Sequence, residues 1–71
     1  MKNFECVMES EKKFLLVHVK SENIQDANIK FCELAYAISR LEDFKIIEIR
    51  ESWDGSNYFS KNAKIIRVRE K

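Results

Sequence analysis

The sequence predicts an α+β domain, a single antiparallel-rich sheet in β-β-α-β-β order with one amphipathic helix packed on one face. Three observations predict it. Between Asn23 and Leu41, apolar side chains recur at Ile24, Ala27, Phe31, Leu34, Ile38 and Leu41. The intervals alternate between three and four, which places all six on one stripe of a helix. The segments on either side have the period or composition of strands instead. At 71 residues the chain makes one domain, 1–71, with room for a single small core.

Phe4 to Glu9 alternates, with Phe4, Cys6 and Met8 on one face and Glu5, Val7 and Glu9 on the other. After a polar break at Ser10 to Lys13, the run Phe14 to Lys20 is rich in β-formers. Joining the two as a hairpin through Glu11-Lys12 sets Glu9 opposite Phe14, Met8 opposite Leu15, Cys6 opposite Val17 and Phe4 opposite Val19. All six apolar residues of the last three pairs then share one side, and a slip by one would mix the faces. The same register sets Val7 against Leu16 and Glu5 against His18 on the other side.

Asn23 is a good N-cap, with Glu22 and Asp26 at the positive end of the helix dipole and Arg40 near the other end. Lys30, Glu33, Ala37 and Arg40 form the solvent face, and Glu42-Asp43 a stop. Phe44 to Glu51 reads as the third strand, with Ile47 and Ile49 inward and Phe44, Ile46, Glu48 and Arg50 outward. Lys64 to Arg69 reads as the last, with Ile66 and Val68 inward and Ile65, Arg67 and Arg69 outward. An antiparallel register between these two sets Ile47 against Val68 and Ile49 against Ile66. Residues 52–63 then connect them, with a turn at Asp54-Gly55 and room for a short strand at Tyr58-Phe59. No internal repeat stands out.

Thirteen basic and twelve acidic residues nearly cancel, so net charge neither favours nor excludes nucleic acid. Two cysteines make no disulfide framework; Cys6 and Cys32 both fall at positions expected to face the core as free thiols. The N-terminus lacks the apolar run of a signal peptide, and no apolar stretch has membrane-spanning length. A soluble, cytoplasmic protein without membrane contact is expected.

His18 beside Glu5 is the one general-base candidate, but no nucleophile stands in a fixed relation to it, and its spacing from the cysteines is poor for zinc. No catalytic residue, metal or cofactor is expected. Recognition has more to rest on. Trp53, Tyr58 and Phe59 sit in one polar loop, the composition of contact surfaces, although Trp53 and Phe59 could equally fold back to cap the core. The outer sheet face gathers Val7, Phe14, Leu16, Ile46 and Ile65 among His18, Arg50, Arg67 and Arg69, where a solvated face would be mostly polar. These residues are expected to bind a protein partner. Arginines interleaved with aromatics would also suit nucleic acid, two copies could pack outer face to outer face, and the loop aromatics could instead fold over that face.

The helix start Asn23-Ile24-Gln25-Asp26-Ala27, the strand Lys45-Ile46-Ile47-Glu48-Ile49, the chain length and the strand–helix–strand–strand order resemble small proteins of phages and mobile elements, including several type I anti-CRISPR proteins. The resemblance implies a stoichiometric, non-enzymatic inhibitor in the host cytoplasm, occupying a surface on a CRISPR effector or other nuclease complex. It carries over no individual functional residue.

Overall fold

The computed structural model of the chain describes residues 1–53 and 59–71. Five elements follow in the expected order: β1 (Lys2–Glu9), β2 (Lys13–Ser21), α1 (Ile24–Ile38), β3 (Lys45–Glu51) and β4 (Lys64–Glu70). The strands form one sheet in the order β3-β1-β2-β4, with every neighbouring pair antiparallel. The turn expected at Asp54-Gly55 lies outside the described residues. Phe59 is not in a strand.

The central hairpin has the register that its faces demand, from Phe4 opposite Val19 to Glu9 opposite Phe14. Glu-Lys is a poor turn pair, and Ser10 supplies what it lacks. The Ser10 amide donates to the Lys13 carbonyl at 2.9 Å. The Ser10 hydroxyl oxygen accepts from the Lys12 and Lys13 amides at 3.1 and 3.0 Å and donates to Glu42, tying the hairpin to the segment after the helix. The side chain thus satisfies backbone groups that a tight turn leaves open.

Phe4, Cys6, Met8, Leu15, Val17 and Val19 are all buried, and Ala27 and Phe31 of α1 close over them. Asn23 caps the helix, its side-chain oxygen accepting from the Asp26 amide at 2.8 Å. The Asp26 carboxyl lies below the usual carboxylate range, first because the Ser21 hydroxyl donates to it and second because Lys30 does. Only the middle of the predicted apolar stripe is consumed. Ile24 is half exposed, and Leu41 lies beyond the helix end and is exposed. Cys32, expected in the core, is exposed as well, because it falls one residue past Phe31 and off the buried stripe.

The expected pairing of β3 with β4 is overturned. They occupy opposite edges, β3 on β1 and β4 on β2. Consecutive strands are usually neighbours, but here the hairpin lies between them. Each edge strand also carries a β-bulge, which inverts the expected faces before it, at Ile46 and Ile65, and leaves those after it, such as Ile49 and Val68, as expected. In β3, Met8 pairs with Ile46 and Val7 with Glu48, so Ile47 is the extra residue. Ile46, Ile49 and Phe44 pack on the core, whereas Ile47 is exposed. In β4, Val17 pairs with Ile65 and Leu16 with Arg67, so Ile66 is extra and Ile65 joins Val68 on the helix side. One inserted residue shifts a period of two by half a cycle.

The bulges expose a repeat that the linear reading passes over. Lys45-Ile46-Ile47-Glu48-Ile49-Arg50-Glu51 and Lys64-Ile65-Ile66-Arg67-Val68-Arg69-Glu70 differ only at Glu48/Arg67 and Ile49/Val68. Their bulges fall at the same place, related by a local two-fold at the Val7–Leu16 pair. The helix breaks this symmetry: it packs on β1, β2 and β3, while none of its Cα atoms comes within 8 Å of one in β4.

Phe31→Ala should lower unfolding free energy by about 3–5 kcal/mol, whereas Leu41→Ala should stay within about 0.5 kcal/mol of the parent, both read by urea denaturation. Burial, and after it the nearby Cys32, pushes the Cys6 thiol up to about 12. A thiol reagent at pH 8 should therefore label Cys32 alone in the folded protein, and Cys6 only after denaturation; rapid native labelling of both would contradict the packing.

Candidate interaction surface

The outer sheet face is less open than its composition predicts. In one row across the sheet, the Arg50 Nε donates to Glu5 at 2.5 Å and the Glu5 carboxylate lies 3.4 Å from His18 Nε2. That hydrogen bond, and then the Glu5 charge, raises Arg50 above its ordinary pKa. The His18 ring stacks on Phe59, with centroids 4.3 Å apart and planes 6° from parallel. Phe59 reaches that position because the chain returns alongside β2, where the Lys20 amide donates to the Ser60 carbonyl at 2.7 Å. Neither His18 nitrogen makes a hydrogen bond among the described residues. Its approach to Glu5 is therefore an ion-pair distance without hydrogen-bond alignment. At the other end of the face, Lys71 pairs with Glu9 and its Nζ sits 5.0 Å from the centre of the Phe14 ring.

The residues expected to contact a partner are thus divided. Phe59 is 4% exposed, a cap on the domain's own face. His18 is covered by it, Arg50 is held by Glu5, Phe14 lies beneath Lys71, and Leu16 is half-buried. Trp53 is 95% exposed but follows β3, on the edge away from β4. Tyr58 lies outside the described residues. Arg67 and Arg69 stand on β4, where they have no ion pair among the described residues.

β4 is where exposure concentrates. Every one of its residues is exposed, including Ile65, Ile66 and Val68 at 40%, 47% and 54%. On the helix side, Ile65 and Val68 line a groove of about 190 Å³ with Leu15, Ile38, Leu41 and Phe44. Lys13 and Glu42, 3.8 Å apart, stand at its rim. The groove exists because the helix stops short of the fourth strand. On the other side, Lys64, Arg67 and Arg69 pair with the outward His18, Leu16 and Phe14 and form a basic row. The sequence places the arginines and Ile65 at the surface, but puts Ile65 on the outer face, and it gives no sign that Leu41 and Val68 are surface. The Ile65-Ile66 doublet held the signal, since adjacent strand residues face opposite ways unless a bulge intervenes.

No helix among the described residues is long and apolar enough to cross a membrane, and no group of three metal-binding side chains occurs among them. No protein-family description, curated protein or solved structure matches the chain. What the fold and surface define is a class: a single-sheet α+β domain in which, among the described residues, one edge strand lies beyond the helix.

Phe59→Ala should cost about 3 kcal/mol by removing the ring that covers His18, while Trp53→Ala should change stability by no more than about 0.5 kcal/mol. Guanidinium denaturation of both variants checks the contrast.

Proposed function

We propose that the chain is a non-enzymatic protein-binding module and that β4, with the groove beside it, is its contact strand. The observation that carries this reading is the exposure of three aliphatic side chains on a seven-residue edge strand. In a 71-residue domain, contiguous apolar surface of this kind is costly to leave in water. The arginines beside it give such a surface orientation and selectivity. Trp53 supplies a second exposed contact at the opposite edge. The proposal is for protein binding and not for the narrower role of nuclease inhibitor that the resemblance implies, because no described feature is particular to a nuclease.

Nucleic acid is the second reading, favoured by the row Lys64, Arg67 and Arg69 on one strand. It is weaker because stacking residues and cations are not brought together. Phe59 is buried against His18, and Trp53 lies at the far edge.

The test is capture from a lysate of the source cell on the immobilised chain, compared between the parent and Val68→Asp. Val68 is more than half exposed, so the variant should keep its fold, which circular dichroism verifies. The expected result is a bound protein retained by the parent and by Trp53→Ala but lost by Val68→Asp. Equal capture by all three would remove β4 from the function. A mobility shift with DNA or RNA at low salt that fades as salt rises would favour the second reading.

A further inference from the structure

We infer that β4 accepts an extended peptide as a fifth strand of the sheet, and that this peptide alternates acidic with aliphatic side chains. The inference rests on the protein-binding reading and names the partner's chemistry.

The ladder supplies the first argument. The Lys71 amide donates to the Lys12 carbonyl at 2.9 Å, so the peptide groups of Lys71 and Arg69 face β2. The Lys13 carbonyl turns the other way, to the Ser10 amide, which agrees with that phase. By alternation, the peptide groups of Val68 and Glu70 point to the open edge. Below the bulge at Ile66, the pairing of β4 with β2 is regular from Arg67 to Glu70. That stretch is a straight template for another strand.

The two faces beside that edge select the side chains. A strand added here would lay alternate residues next to Ile65 and Val68, over the groove that Leu41 and Phe44 complete. Aliphatic side chains fit there. The intervening residues would lie beside Arg67 and Arg69, whose charges have no acidic partner among the described residues. Carboxylates fit there.

The same charges argue against a second copy of this chain as the occupant. An antiparallel β4–β4 pair that keeps Ile65 facing Val68 across the junction would set Lys64 opposite Arg69 twice. Like charges directly opposite destabilise a pair of strands. The basic row therefore guards the edge against self-pairing and leaves it suited to an acidic strand. The β3 edge differs at the matching position, where Glu48 replaces Arg67. An acidic peptide would be repelled there, so the two edges are not equivalent.

The experiment titrates the isotope-labelled full chain with a capped seven-residue peptide that alternates glutamate and valine, followed by amide NMR and hydrogen exchange. The expected result is shift changes confined to Arg67–Glu70 and the groove, with exchange at the Val68 and Glu70 amides slowed by about tenfold or more. Arg67→Glu/Arg69→Glu should weaken binding by about tenfold or more, and a lysine–valine peptide should not bind. The inference is overturned if no β4 amide responds, if the lysine peptide binds as well, or if the shifts map to β3. Concentration-dependent protection of β4 without peptide would also overturn it, in favour of a second copy. If Val68→Asp abolishes lysate capture while the glutamate peptide fails to bind, the inference falls and the binding reading stands.

Discussion

The burial of Phe31 against the inward side chains of the β1–β2 hairpin is the contact on which the rest of this domain depends. Phe31 is fully buried, and beneath it lie Cys6, Met8, Val17 and Val19, all nearly or wholly removed from water. A small chain has one such cluster and no reserve. The hairpin register agrees with it, because a slip by one residue would turn half of those side chains away from the helix. The hairpin leaves one free edge on each side, and β3 takes that of β1 and β4 that of β2. Ser10 and Asn23 act at the margins of this contact. One closes the hairpin and the other caps the start of the helix.

What β4 exposes follows from how far that helix reaches. It covers β1, β2 and β3 and stops before β4. Two edge strands of nearly the same sequence therefore meet different fates. In β3, Ile46 and Ile49 are packed on the core; in β4, the matching Ile65 and Val68 remain at the surface. A difference in exposure between matching side chains on near-identical strands cannot come from local propensity. It comes from what lies above them.

The outer face shows the opposite outcome. Its half-apolar composition suggested an open patch, yet the domain covers much of it. Phe59 stacks on His18, Arg50 bonds to Glu5, and Lys71 lies over Phe14. Ring stacking and ion pairing across neighbouring strands turn a surface that looked available in composition into one that is partly satisfied internally. The basic residues of β4 lack such partners among the described residues, and the apolar residues beside them lack a helix.

The sequence by itself determined the elements and the central pairing. The three–four spacing from Ile24 to Ile38, the alternation from Phe4 to Met8 and the β-formers from Phe14 to Val19 fix local conformation and faces, because each signal lies within one element or one tight turn. Asn23 was legible as a cap for the same reason. Tertiary structure decided the strand order, the phase of β3 and β4, and the exposure of Cys32 and Leu41. Two bulges turn Ile46 and Ile65 to the side opposite the one a strict period of two assigns, and an Ile-Ile doublet permits a bulge without requiring one. The length of sheet that one fifteen-residue helix can cover is likewise a property of the assembled layers. That limit leaves β4 open, and it is set by geometry across the sheet, which no linear pattern records.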